Sequence, residues 1–519
     1  MSRSLTSSVQ SELIRNHNHS AVKPPSLTSR SIKKYISTRF SSLFVSREER
    51  SQYTWGEMFN PFGELKHMTL KNWNYFLMGF AAWTWDSVDY VAVNLNTGNL
   101  ARDLHVSVKD ITWGITVVLL LRSVGALIFG YCGDRYGRKW PYVINLSMLI
   151  VLLIGLGFVK TFAQFLAIRA LFGIAMGGVF GFSLATSLDD SPVACRGVLS
   201  GIFQQGYSFG YILVVIFNRA ITYNSPFGWR ALFWFSACPP VLLIIWRLCL
   251  PETDTYRRQR ADAQAKRELN PDRKWFRLSD DTKYVFRTYW LTLIYLVLLM
   301  SGFTFMSHGS QDLYPTLLSK QLEFSPDRST VTNCVAYLGA ILGGIVCGHA
   351  STFIGRRLTI IIAVILGGAM IYPWAYLRSS AINAGAFFMQ AAVQGAWGVI
   401  PIHLSELSPP AYRSLATGLT YQLGNMVSSA SSTIESTIGE RFPITTASGE
   451  PGFDYSKVMS LFIACVFGYV LLVTFLGPEN RNADFDVDRD TIYEEEINEN
   501  EEEVDVESIK PEEEFIEHS

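Results

Sequence analysis

The chain has 519 residues, of which 49% are hydrophobic, 13% aromatic and only 17% charged, and its mean hydropathy is +0.19. That is too apolar and too charge-poor for an ordinary soluble protein, so a membrane protein is expected. The formal net charge of -1 describes no real surface, because long uncharged runs fill about 72–478 while the flanks are polar and the last stretch is acidic.

Residues 1–71 carry many Ser, Lys and Arg and no apolar run long enough for a signal peptide. They are read as a cytoplasmic tail, mostly disordered, with one amphipathic piece near 58–65 against the membrane. The first span then serves as the insertion signal. A spanning helix needs roughly 20 mostly apolar residues, and twelve such windows follow: 72–95, 111–131, 140–159, 162–187, 198–218, 229–250, 289–314, 330–350, 358–377, 381–404, 414–437 and 457–477. Barrel strands would be about ten residues long with alternating polarity, which these windows are not.

Between the sixth and seventh windows, 251–288 holds ten Lys or Arg. Shorter loops on the same side carry Asp134-Arg135-Tyr136-Gly137-Arg138-Lys139, Arg196, Gly355-Arg356-Arg357 and Arg413. Opposite loops are poorer in basic residues, some with Lys160 or Arg378 alone. By the positive-inside rule both termini and the linker 251–288 face the cytoplasm. The segment 479–519, with its acidic block 494–514, reads as a disordered cytoplasmic tail. A trafficking or interaction role for the tails, through ubiquitin machinery for instance, is the alternative to a merely solvated block. The seven cysteines have no paired spacing, so they are read as small hydrophobes rather than as disulfides or a metal site. No metal or cofactor is expected.

The windows repeat. A shift of 217 residues aligns Asp189 with Glu406, Pro192 with Pro409, Arg196 with Arg413, Gly201 with Gly418 and Gln205 with Gln422, while Gly178 and Gly181 land on Gly395 and Gly398. A shift of 218 puts Gly130, Gly137 and Arg138 on Gly348, Gly355 and Arg356. The expected fold is therefore all-α and integral to the membrane, with twelve transmembrane helices in two pseudo-symmetric six-helix halves, 72–250 and 289–478. Such halves rock about a central site.

Gly130 to Lys139 reads Gly-Tyr-Cys-Gly-Asp-Arg-Tyr-Gly-Arg-Lys. A glycine-permitted turn there lets Asp134, Arg135 and Arg138 pair with neighbouring helix ends, as a latch that breaks and reforms. The run resembles the loop signature of the major facilitator superfamily, Gly, three spacers, Asp-Arg-x-Gly-Arg-Lys, and implies its fold. Thr352 stands in the second copy where the first has Asp134, so a weaker latch is expected there. Asp189, Pro192 and Arg196, with Glu406, Pro409 and Arg413, are read as gating sets. In each, the acid suits the arginine seven residues on, across a proline-broken turn.

Charges at bilayer depth cost roughly 2.5–3.5 kcal/mol each and point to function. The windows hold Asp86 and Asp89 in the first, Arg122 in the second, Arg169 in the fourth, and His308 and Asp312 in the seventh. At about 1.5 Å per residue, Asp86 and Arg122 fall near the midplane. Arg122 is too deep to snorkel easily, so it binds an anion or an aspartate of the first span, or forms a static buried salt bridge with one. His308 and Asp312 are i and i+4, as are Ser307 and Gln311, so imidazole and carboxylate share one helix face within reach. That pair suits a proton carrier; a helix end near Pro315 that merely satisfies polar groups is the plainer reading.

The seventh window resembles more closely the signature of the fungal lactate/pyruvate:proton symporters, the Jen-type carboxylate transporters of the sialate:proton symporter branch. Their pattern is Asn-x-x-Ser/Thr-His-x-Ser/Thr-Gln-Asp-x-x-x-Thr. Ser307, His308, Ser310, Gln311, Asp312 and Thr316 match, and Thr304 stands where the pattern has Asn. Tyr421-Gln422-Leu423-Gly424-Asn425 also looks like that family's run, where Gln and Asn face the pathway. The resemblance, over about 55–480, implies a plasma-membrane, multi-pass symporter that moves a short-chain monocarboxylate such as lactate, pyruvate or acetate with a proton. Arg122, Ser307, Gln311, Gln422 and Asn425 would bind the substrate, and His308 and Asp312, with Asp86 and Asp89, would carry the proton. A dicarboxylate such as malate or succinate, engaging Arg169 as a second cation, is one alternative. A carboxylate sensor without transport is another. An enzyme is not expected, because no nucleophile-base set, phosphate loop or metal cluster is present.

Overall fold

The structure is a computed structural model and is described for residues 28–45, 50–51, 53–222, 224–258, 260–261, 278–409, 412–439, 441–445, 451–481 and 483. Residues 1–27, the linker centre 262–277 and the acidic tail from 484 lie outside these. Twelve helices correspond to the twelve windows: α1 Leu70–Leu95, α2 Val108–Tyr136, α3 Lys139–Gly157, α4 Phe162–Leu188, α5 Arg196–Phe217 and α6 Trp229–Ser236, continued by Cys238–Cys249. The second set is α7 Leu278–Gln311, α8 Pro326–Ile354, α9 Arg356–Ala375, α10 Ile382–Leu407, α11 Arg413–Ser428, continued by Ser431–Gly439, and α12 Tyr455–Leu476.

Local chemistry sets the ends. Thr69, Thr161 and Ser325 accept a backbone N–H of the first turn, and Ser107 with Asp110 closes a capping box at the start of α2. Helices α2 and α8 both stop at a glycine with φ of 95° (Gly137) and 109° (Gly355), the backbone region that only glycine enters freely. These two positions are repeat equivalents, so the offset read from the sequence recurs as backbone conformation.

Among the described residues, nine helices are apolar and long enough to cross a membrane by length and composition. The helices α1, α10 and α11 are the exceptions, and they carry the polar residues Asp86, Asp89, Gln390, Gln394, His403, Gln422 and Asn425. All seven side chains are buried, so polarity places these helices inside the bundle. In contrast α3 and α9 present Ile144, Val151, Ile362 and Ile365 outward, the apolar surface a bilayer requires. The most deeply buried stretches, 175–188 of α4 and 392–407 of α10, are again repeat equivalents. Helix α2 packs along α4 and α8 along α10. Gly178 abuts Phe129 in one half as Gly395 abuts Cys347 in the other.

The described segments nearest the two chain ends, 28–45 and 477–481, lie on one face, called here the terminal face. Residues 28–71, expected to be mostly disordered, are folded there over their described part. The helix Ser29–Ser37 brings Tyr35 Oη to the Leu476 carbonyl (3.0 Å), and Arg39 donates to the Gly477 carbonyl (2.8 Å). These bonds satisfy carbonyls that the end of α12 leaves without intrahelical partners. The piece near 58–65 packs on protein, with His349 Nε2 of α8 3.1 Å from the Glu57 carbonyl and Cys195 Sγ donating to the Glu64 carbonyl (3.1 Å). On the opposite face a short antiparallel hairpin, β1 Pro443–Thr445 with β2 Pro451–Phe453, precedes α12. All seven cysteines are free; Cys195 is buried, but Cys238, Cys249, Cys334 and Cys465 face outward from the bundle.

Gly137→Ala and Gly355→Ala are expected to destabilise the protein by about 1–3 kcal/mol each, the cost of a Cβ in this backbone region. Gly468→Ala, where a Cβ meets nothing within 4 Å, serves as the neutral comparison in thermal unfolding of the detergent-solubilised protein.

Candidate functional site

Charged residues meet in two layers. At the terminal face, Arg138 forms an ion pair with Asp189 at the end of α4, and Arg413 at the start of α11 lies 3.6 Å from the same carboxylate. Asp134 accepts hydrogen bonds from the backbone N–H groups of Ser414 (3.3 Å) and Leu415 (2.8 Å), a carboxylate on a helix N-terminus. The α2–α3 turn thus ties the first half to the second. Arg135 is exposed and stands outside this buried cluster. Burial pulls the Arg138 guanidinium down, with Asp134 opposing.

In the second half, Arg356 grips Glu406 with two parallel bonds of 3.1 and 3.0 Å and also donates to Ser351 Oγ (2.7 Å). These pairs correct the expected pairing. Asp189 takes Arg138 rather than Arg196, and Glu406 takes Arg356 rather than Arg413. Arg196 donates to the Ser191 carbonyl and, at 3.1 Å, to that of Ala483. A partner seven residues away lay within one loop, but the turn folds so that the arginine of the preceding hairpin reaches the acid first. Arg138–Asp189 and Arg356–Glu406 are each other's repeat equivalents, so the offset holds even where the partner was misassigned. Thr352 faces Gly197 at the start of α5 and brings no carboxylate to it, in keeping with the difference expected from Asp134. Glu479 receives the Arg356 amide at 2.6 Å, and burial pushes its carboxyl up against that bond.

Around this layer the halves touch closely: Gly130 lies against Leu415, Gly181 against Ser414, Gly197 against Gly348 and Gly201 against Gly344. Above it sits an aromatic layer. Trp83 meets Phe180, Phe203, Tyr207 and Tyr421, and Tyr421 stacks on Phe180 at 4.1 Å.

The deeper charges lie beyond those rings. Arg122 donates to Asp86 Oδ2 at 2.8 Å, with both side chains almost fully buried. Its Nε and the second Asp86 oxygen have no hydrogen-bond partner. The Tyr90 ring lies 5.8 Å from the guanidinium, and Tyr207 and Tyr421 are close enough to act on it electrostatically. Asp89 is buried with one oxygen unbonded; Arg169, fully buried in α4, has none of its three nitrogens bonded and stands over the Phe172 ring.

At the end of α7, His308 Nδ1 and Asp312 Oδ2, one residue past the helix, are 3.0 Å apart, with side chains 22% and 35% exposed. Tyr90 is near enough to both Asp312 and Arg122 to feel both charges. Gln311 Nε2 donates to Gln390 Oε1 (3.0 Å), and Gln390 donates to the Ser310 carbonyl (3.3 Å). Asn425 donates to Gln422 Oε1 (3.1 Å), leaving the Gln422 amide nitrogen buried and unbonded. In the first half Ser208 donates likewise to Gln205. Ser307 is half-buried on the same helix. Thr304 is buried, and its hydroxyl bonds the Gly424 carbonyl of α11 at 3.0 Å, so it holds two helices together.

Sequence reasoning passed over Tyr90, Tyr207 and Gln390, whose only signal is polarity within an apolar window. It also passed over Glu435, the one carboxylate of the eleventh window. A separate groove of about 330 Å³ between α7 and α11 is lined by Trp290, Ile294, Leu298, Leu415 and Leu419. With almost no polar lining, it cannot hold an anion.

The family model described as "Sugar (and other) transporter" matches residues 63–486. A carboxylic acid transporter protein homolog of Saccharomyces cerevisiae is 41% identical over 472 residues, covering 89% of this chain and 76% of that one. A sialic acid transporter of Escherichia coli is 26% identical over 407 residues, covering 77% and 92%. Among solved structures, the proton:xylose symporter XylE of the major facilitator superfamily, from E. coli, superposes with a TM-score of 0.62 at 17% identity, covering 80% of this chain and 98% of that one. The fold is thus that of the major facilitator superfamily.

Breaking a buried pair strands its partner, so Arg356→Met alone is expected to cost about 3–5 kcal/mol. The double variant Arg356→Met with Glu406→Leu should recover most of that loss in thermal unfolding.

Proposed function

Because the chain belongs to the sugar (and other) transporter family and is a multi-pass membrane transporter rather than an enzyme, we propose that it carries short-chain monocarboxylates, lactate and pyruvate among them, together with a proton. The observation that carries this reading is that the bundle buries an Arg122–Asp86 pair at 2.8 Å and holds a His308–Asp312 pair at 3.0 Å, with Tyr90 within electrostatic reach of both. A planar guanidinium offers two parallel donors to a carboxylate, and here one carboxylate already holds it. An entering substrate takes the place of Asp86 on Arg122, and the displaced Asp86, then without its cation, takes up a proton. Gln311, Gln422 and Asn425 bond the keto or hydroxyl end, and His308 with Asp312 passes the proton. The 41% identical relative named for carboxylic acids supports the substrate class.

With the termini placed in the cytoplasm by the basic loops and the protein in the plasma membrane by its resemblance, the close approach of the halves at the terminal face supports an outward-facing state. Opening then requires Asp134 to leave the α11 N-terminus and Arg413 to leave Asp189. A monoanion with one proton carries no net charge, so the potential of about 2.3 kcal/mol per charge per 100 mV does no work on it. The pH gradient supplies about 1.36 kcal/mol per unit.

Arg169 favours a second reading. Its three unbonded nitrogens would suit the other carboxylate of a dicarboxylate such as succinate.

In liposomes, an acid exterior should drive accumulation of labelled lactate, and His308→Ala should abolish it. Accumulation by that variant that still collapses with a protonophore excludes His308 from coupling. Arg122→Lys should raise KM about tenfold, the equivalent of one lost charged hydrogen bond. Strong competition by succinate, lost in Arg169→Gln, would favour the dicarboxylate. Absence of counterflow for every acid tried would leave a sensor.

A further inference from the structure

Glu435 sits on Ser431–Gly439, the short helix that continues α11 past a two-residue break. Its side chain is fully buried and neither carboxyl oxygen has a hydrogen-bond partner. The helix packs against α7 and α12. Glu435 Oε1 lies 3.6 Å from the point where a side chain at residue 309 would begin, and the Phe462 ring of α12 covers the same point. Gly309 follows His308 and stands one turn before Asp312; the Phe462 ring takes the space a side chain there would fill, and the Glu435 carboxyl lies beside it, against α7 next to the proton-carrying pair. From α7 the ionisable groups on this side are His308 and Asp312, and Asp312 is the charge that acts on Glu435. From α12 the first-turn groups are engaged elsewhere, Asp454 with the Lys457 amide and Lys457 over the Phe442 ring at 4.2 Å. A carboxylate anion walled by apolar groups without a single donor is unstable. The Asp312 carboxylate, near enough to act on Glu435, adds to that cost.

We propose that Glu435 is a third member of the proton site, holding the transported proton as the neutral acid and exchanging it with the Asp312 carboxylate. When the proton passes to Asp312, Glu435 is a short-lived anion that the next proton returns to the neutral acid, and while Asp312 is neutral its charge attraction for His308 is lost, which frees the His308 face of α7. This rests on the proton-coupled reading above and adds to it a residue outside the family-like run in α7.

The test compares parent, Glu435→Gln and Glu435→Asp in liposomes by counterflow of labelled lactate and by accumulation under an imposed pH gradient. One coupled proton gives about tenfold accumulation per pH unit. The expected result is that Glu435→Gln still supports counterflow but loses this accumulation and its pH dependence, and that Glu435→Asp recovers part of both. Accumulation by Glu435→Gln equal to the parent's overturns the proposal. If Glu435→Gln is folded but inert in both assays, infrared difference spectra decide. A protonated-carboxyl band in the parent, absent from Glu435→Gln and changed by lactate, supports the proposal, and lack of such a band overturns it. A parent that exchanges lactate yet never accumulates it overturns the proton-coupled reading itself, and with it this inference.

Discussion

Every charge that this fold takes out of water needs either a partner or a use. A buried ion without compensation costs several kcal/mol even after the protein relaxes, and the structure answers that constraint in two ways. Arg138–Asp189, Arg356–Glu406 and Arg122–Asp86 are paired. Arg169 and Glu435 are buried with no hydrogen-bond partner. The first group ties helices together within each half, and the second marks where a ligand or proton would complete the balance. Both groups lie on helices that the apolar windows alone would describe as simple spans.

The paired charges and the small residues work together at the terminal face. Glycines at 130, 181, 197, 201, 344 and 348 bring helices of opposite halves close enough that backbone meets side chain or backbone. At that range the Asp134 carboxylate can bond the amides of Ser414 and Leu415. Among the described residues, amide bonds to Asp134, one 3.6 Å ion pair and the Ser200 hydroxyl, which bonds the Gly398 carbonyl and the Ile402 amide, link the halves, which suits a contact that must be broken in each cycle. The within-half pair Arg356–Glu406 is bidentate and fully buried, which suits a joint that moves as one body.

Much of this was legible before the structure. The twelve windows fall on the twelve helices because a bilayer demands long apolar runs, a signal far stronger than ordinary helix propensity. The repeat offset was legible for a related reason: Gly137 and Gly355 recur because one backbone conformation recurs. The His308–Asp312 pair was readable from i, i+4 spacing alone. The partners of Asp189 and Glu406 were not, since proximity in sequence favoured Arg196 and Arg413 while the turn geometry delivered Arg138 and Arg356. The folding of the described part of 28–71 was not legible, because polar composition resembles disorder unless the unsatisfied carbonyls at the end of α12 are known to await it.

The sequence by itself determined the membrane class, the number and order of the spans, the two equivalent halves, and the short roster of charges at depth. These follow from hydrophobic length, from local backbone chemistry and from repetition, all of which are one-dimensional. Only the tertiary structure decided which charge meets which: that Arg122 holds Asp86, that Tyr90 comes within reach of both Arg122 and Asp312, and that Glu435 lies against α7 beside Gly309. Those contacts depend on how helices from distant parts of the chain rotate against one another, and no spacing along a single helix records that rotation.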